Sequence, residues 1–211
     1  CEEMLALGAE MVLIDGAIDR KSIAAPESSD AIILSTGAVL SRKMNKVVEE
    51  TVHTVSLYGL PILEEGEERK IFEEQGKSDQ LSVIRDGEAI VPSIGTGLGA
   101  GKHLDAEIDD RTTHIYIPGA FTASTVADIN PRKLKDVTFV LKDPTKIFID
   151  AGLWGQLRKK GLKVKVLNNI KVAAITVNPT APAGYVFDHT QLLDAMQEAV
   201  PDIPVIDVMM A

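Results

Sequence analysis

Short, unbroken apolar runs alternate along this chain with segments of helical periodicity, and that alternation constrains the fold more than any other feature. Met11–Ile14 and Ala31–Leu34 are apolar without a break and contain β-branched residues, the pattern of a strand buried on both faces. From Ser41 the pattern changes. Met44, Val47, Val48, Thr51, Val52 and Val55 recur at three- and four-residue intervals, with Lys43, Lys46, Glu49 and Glu50 between them, and Gly59 and Pro61 stop the run. Strand, helix, strand, helix is the rhythm of a parallel sheet covered by helices, so the predicted class is α/β with a largely parallel sheet near the start.

The rest of the chain continues in mixed fashion. Residues 61–80 hold Glu64, Glu65, Glu67, Glu68, Glu73 and Glu74 with few apolar anchors, which reads as an acidic connection or an exposed helix. Leu81–Arg85 and Glu88–Val91 flank Asp86-Gly87, the signature of a hairpin with a tight primed turn. Further strands are expected at Thr113–Ile117, Val137–Leu141, Lys146–Ile149, Val164–Leu167, Val172–Val177 and Ile203–Val208. A helix-compatible segment runs from Phe121 to Ile129. Asp150 should cap a helix carrying Leu153, Trp154 and Leu157, and Asp188 with Gln191 should open another carrying Leu192, Leu193 and Met196. The domain reading is 1–60 as the end of a P-loop-like α/β domain, 61–80 as connection and 81–211 as a second α/β region, with one continuous domain as the alternative.

Composition excludes several classes of function. A net charge of -9 disfavours nucleic acid and anionic membranes, and the basic cluster of Arg158, Lys159, Lys160, Lys163 and Lys165 reads as a solvated face at a helix end. One cysteine, Cys1, rules out an internal disulfide framework and fits a reducing compartment, and no apolar run approaches the roughly 20 residues that cross a bilayer. The expected location is the cytoplasm. His53, His103, His114 and His189 show no metal-ligand spacing. Glu2–Gly8 reads as the last turns of a helix without a capped start, so the chain is expected to be a piece of a longer protein.

Candidate chemistry gathers at the ends of the apolar runs. Asp15 follows Met11–Ile14 directly, where open α/β sheets place their ligands and where P-loop proteins hold the water or magnesium beside a phosphate. Asp19, Arg20, Lys21 and Ser22 stand just beyond it, although Asp-Gly after a strand is also an ordinary turn. Ser35-Thr36-Gly37-Ala38 ends the second run with small residues that admit a ligand or a following helix. Ser93–Lys102 is glycine-rich, but Thr96 and His103 stand where a Walker A loop needs glycine and a hydroxyl. Gly97, Gly99, Gly101 and Lys102 can present amides and a cation to an anion, or simply form a connection. Thr122, Ser124 and Thr125 at a helix start serve as caps or receive an anion. Asn178–Tyr185, a polar turn after an apolar strand, is either a ligand loop or a rigid turn.

Leu13–Ser22 and Ser29–Arg42, with Tyr116-Ile-Pro-Gly-Ala120 and Ile175-Thr-Val-Asn-Pro179, resemble a bacterial family, the smaller subunit of the reactivating factor for lysine 5,6-aminomutase. The resemblance implies an ATP-linked accessory protein that helps exchange damaged cobalamin on an adenosylcobalamin-dependent aminomutase. Its expected partners are the larger reactivating-factor subunit and the aminomutase. In that family a P-loop region precedes the part seen here, and this chain has no Walker A motif. Carried over, Asp15 becomes the acid on the magnesium or water side. Asp19, Arg20, Lys21, Ser22, Thr36 and Gly37 fall on the nucleotide side, with ATP and magnesium belonging to the full-length protein. Two alternatives stand beside this reading. One is a small-molecule transferase or kinase-like enzyme using Asp15 and Asp19 with the loops at Gly95–Lys102 and Asn178–Gly184. The other is a non-catalytic interaction module.

Overall fold

The apolar run after Asp30 forms β1 (Ile32–Gly37), and the periodic segment after Ser41 forms α2 (Met44–Tyr58), in a computed structural model that describes residues 1–16, 24–78, 80–92 and 101–210. The partner of β1 is β9 (Val172–Asn178), far along the chain, and β9 pairs in turn with β10 (Val205–Asp207). All three strands run parallel. Between β9 and β10 the chain crosses over through α8 (His189–Ala199), whose first turn is closed by the Asp188 carboxylate accepting the Gln191 amide at 2.9 Å.

Among the described residues only one face of this three-stranded sheet is covered. Ile175 and Val177 of β9 are buried against Val47 of α2 and Leu192 and Met196 of α8, with Leu34 and Val205 beside them. Alternation puts Ile33 and Ile206 on the opposite face, where they remain 61% and 46% exposed.

The second sheet has five strands in the order β3-β2-β4-β6-β8. β4 (Thr112–Ile117), β6 (Thr138–Leu141) and β8 (Lys163–Val166) are parallel, while β2 (Ser82–Arg85) runs antiparallel to β4 and joins β3 (Glu88–Ile90) as the expected hairpin. Its turn residues Asp86 and Gly87 have φ of 55° and 82°, the two positive values that a type I′ turn requires. One face buries Ile115, Phe139 and Val164 under Leu104, Trp154 and Leu157, and the helix of Trp154, α7 (Ala151–Lys159), starts at the predicted Asp150 cap. The other face buries Ile84, Tyr116 and Val140 under Phe72.

Three expectations change. Met11–Ile14 forms no strand: the segment is irregular and Leu13 is 86% exposed. An apolar run supplies β propensity, but a strand also needs a neighbour for its backbone groups, and no described strand lies beside it. The acidic stretch contains α3 (Glu67–Ser78), and Phe72 in its middle is completely buried, stacked on Tyr116 with ring centroids 5.5 Å apart. Between Phe121 and Ile129 the chain first forms β5 (Phe121–Thr122), paired with β7 (Ile147–Phe148), and only then the short helix α5 (Ala123–Val126). There Thr122 and Thr125 cap reciprocally, so the hydroxyls that could have met an anion are partners of the helix start.

Candidate functional site

The carboxyl ends of β1, β9 and β10 bring together groups from distant parts of the sequence. Thr36 points its hydroxyl inward, 2.7 Å from the Thr51 hydroxyl of α2, and Thr51 donates to the Val47 carbonyl at 2.8 Å. Gly37 is glycine for a steric reason. A Cβ at that position would lie 2.0 Å from the Asn178 carbonyl oxygen, which also accepts the Ala38 amide at 2.9 Å. What approaches Gly37 closely is thus the backbone of the neighbouring strand, an alternative that local sequence does not suggest.

Asn178 ends β9 with an Asx turn, its Oδ1 accepting the Thr180 amide at 2.9 Å. The following loop turns back through Gly184 at φ 84°, so that the Tyr185 hydroxyl donates to the Ala38 carbonyl. The Arg42 guanidinium sits over the Tyr185 ring, 5.3 Å from its centroid. This loop therefore ties the end of β9 to the end of β1.

Beyond it stands an acid and imidazole pair. Asp207, the last residue of β10, has a side chain only 2% exposed, and its Oδ2 lies 2.7 Å from His189 Nδ1 at the start of α8. Its Oδ1 accepts the Met209 amide at 2.7 Å. A carboxylate on Nδ1 fixes the ring proton there, so in the neutral imidazole Nε2 carries the lone pair. Among the described residues Nε2 has no hydrogen-bond partner, and the His189 side chain is 37% exposed.

The predicted site residues divide accordingly. Thr36, Gly37 and Asn178 meet at this edge. Asp15 is exposed in an irregular segment. Asp19, Arg20, Lys21, Ser22, Gly97 and Gly99 lie outside the described residues. Gly101 opens α4 (Gly101–Glu107), followed by Lys102, and a Cβ on Gly101 would come within 3.0 Å of the Ser124 carbonyl oxygen, so it is glycine for packing. Tyr185 belongs to the loop that the sequence leaves open to a ligand, His189 enters the sequence only as a histidine without metal-ligand spacing, and Arg42 and Asp207 are not singled out by it. For Asp207 a signal exists, since it is the one acid inside the apolar run from Ile203 to Met210.

A second cleft, of about 230 Å3, lies between α2 and residues 144–150. His53 Nε2 donates across it to the Ile149 carbonyl at 2.9 Å. Burial pushes the Tyr58 phenol upward, with the charge of Asp143 adding to it. Asp150 is held below the usual carboxylate range by the Leu153 amide above all, with further help from the Gly152 amide and His53.

Among the described residues no group of three or more His, Cys, Asp or Glu could hold a metal ion, and no helix is long and apolar enough to cross a membrane. Asp15 and Gly101 by themselves do not form a magnesium and triphosphate cradle. The chain is an α/β protein with a parallel three-stranded sheet and a mixed five-stranded one. No protein-family model, curated protein or solved structure gives a significant match to it.

Proposed function

We propose that this chain is an accessory protein, part of an ATP-linked reactivating factor that helps exchange damaged cobalamin on an adenosylcobalamin-dependent aminomutase. One observation supports the reading. Two of the segments that carry the resemblance, Ser29–Arg42 and Ile175–Pro179, form neighbouring strands and the turns at their carboxyl ends, with Gly37 opposite Asn178. Segments so far apart in sequence need no common surface unless the fold uses one, and this edge is where open parallel sheets carry ligands. ATP and magnesium enter as components of the complete factor, with Asp15, Asp19, Arg20, Lys21 and Ser22 on its nucleotide side. The larger factor subunit and the aminomutase are the partners.

The test is a reactivation assay. Lysine 5,6-aminomutase carrying hydroxocobalamin is incubated with the larger subunit, ATP, magnesium and free adenosylcobalamin, with and without this chain. Recovery of activity that requires the chain is the expected result; equal recovery without it overturns the reading. The second reading, a small-molecule transferase or kinase-like enzyme, is favoured by the His189 and Asp207 pair, because a buried carboxylate holding an exposed imidazole is also an arrangement for moving protons.

A further inference from the structure

We infer that the cleft between α2 and residues 144–150 binds a small organic amine, in its ammonium form, that also carries a hydroxyl or carbonyl oxygen and an apolar body. The site is independent of the reactivating role. Its first wall is one face of α2, where Glu50, His53, Leu57 and Tyr58 follow one another at helical spacing. Residues 144–150 form the second, and the hydrogen bond from His53 Nε2 to the Ile149 carbonyl, 2.9 Å long, holds the two walls together.

Tyr58 is only 6% exposed, yet it lines the cleft, and its hydroxyl has no hydrogen-bond partner among the described residues. Nor is that oxygen among the polar atoms sealed from solvent without a partner, so it opens into the cleft. A phenol buried this far ordinarily has a partner. Burial pushes its ionisation upward and the charge of Asp143 adds to this, so it stays protonated and has a proton to donate.

The other polar groups of the cleft accept. With Nε2 donating to Ile149, the neutral His53 ring keeps its lone pair on Nδ1, which has no partner among the described residues. Glu50 and Asp150 add carboxylates, and Asp150 is held below the usual carboxylate range. An anion fits badly here, because the Leu153 amide that the start of α7 would offer it is already taken by Asp150 at 3.0 Å. An ammonium group meets acceptors instead, and an oxygen on the same ligand takes the Tyr58 proton. Phe148, 57% exposed at the same cleft, receives the apolar body. The volume of about 230 Å3 falls below the roughly 300–1,000 Å3 of sites for drug-sized ligands, which limits the occupant to about ten non-hydrogen atoms.

Phenylethanolamine has that size and all three parts, and is the probe. Titrated into the isotope-labelled whole chain and followed by amide NMR, it should shift α2 and residues 144–150 saturably, in the millimolar range that so small a ligand reaches. Phenylethylene glycol, with a hydroxyl in place of the amine, should bind more weakly, and mandelate, with a carboxylate there, more weakly still. Tyr58→Phe strands no protein partner. It should weaken phenylethanolamine about 3- to 10-fold, the net worth of one hydrogen bond, and leave phenethylamine, which lacks the hydroxyl, unchanged. A packing defect alone would weaken both ligands alike, and that result overturns the inference. Asp150→Asn, which keeps a capping side chain, should weaken the amine and not the glycol. The inference also falls if the wild-type chain shows no saturable shift, if the shifts map elsewhere, or if mandelate binds equally well. Failure of the reactivation assay removes the reactivating role and leaves this site standing.

Discussion

Thr36 and Gly37 are neighbours in sequence with opposite demands, one for a partner and the other for the absence of a side chain. The Thr51 hydroxyl donates to the Val47 carbonyl, so it is Thr36 that donates to Thr51, and both side chains are buried. Thr51→Val should leave the Thr36 hydroxyl without an acceptor and cost about 1–3 kcal/mol, read from urea denaturation. The double variant Thr36→Val, Thr51→Val should recover most of that loss, because no donor is then stranded; a double variant worse than the single would contradict the arrangement. At Gly37 the added methyl of alanine would meet the Asn178 carbonyl oxygen at 2.0 Å, and relief requires β1 and β9 to separate. Gly37→Ala should therefore lower stability by about 3 kcal/mol or more, whereas Gly119→Ala, with nothing within 4 Å of the new Cβ, should stay within about 0.5 kcal/mol. Thermal denaturation of the two variants separates them. Sequence shows that small residues stand at 35–38; it does not show that another strand's carbonyl is the reason.

Elements with local signals were the legible part of the molecule. The hairpin at Asp86-Gly87, the helix after Ser41 and the caps at Asp150 and Asp188 each follow from a few adjacent residues, and each is present. Met11–Ile14 has the same apolar pattern as β1 but no neighbouring strand among the described residues, and pattern alone does not report a neighbour. α3 misleads in the opposite sense, because its many glutamates hide one aromatic anchor. Phe72 stacks on Tyr116 and meets the edge of the His114 ring at 6.2 Å. Burial holds the His114 imidazole below its ordinary value of 6.5, with Lys165 adding to the effect and Glu68 opposing it. The unfolded chain therefore takes up this proton first. The contribution is complete above about 6.5 and is lost as pH falls from there through the folded value. His114→Asn should flatten the fall in stability between about pH 7.5 and 5.5, measured by urea denaturation across that range. An unchanged slope would show that other groups set it.

At the scale of the whole molecule the pairing of β1 with β9 was hidden from the sequence, because parallel neighbours share no turn and this pair is separated by the entire five-stranded sheet. The acid and imidazole pair was hidden for a related reason: His189 and Asp207 stand at the start of α8 and the end of β10, and only the crossover brings them together. The same topology shapes how the protein opens. α2 buries Val47 against the three-stranded sheet, while Leu57 near its end joins the core of the five-stranded one. Among the described residues the smaller sheet has one covered face and the larger has two, so the smaller holds less of their buried apolar surface. It should open at lower free energy, as weakly packed units do. Ile175, fully buried in the middle strand, is the place to test this. Ile175→Ala should cost about 2–5 kcal/mol within its own core. Amide hydrogen exchange should then quicken along β1, β9 and β10 while β4 and β6 keep their protection. If the variant speeds exchange equally in both sheets, α2 couples them into one cooperative unit. The carboxyl edge that carries Gly37, Asn178 and His189 would then be as rigid as the larger core, and not free to rearrange around a ligand as a separately opening unit would be.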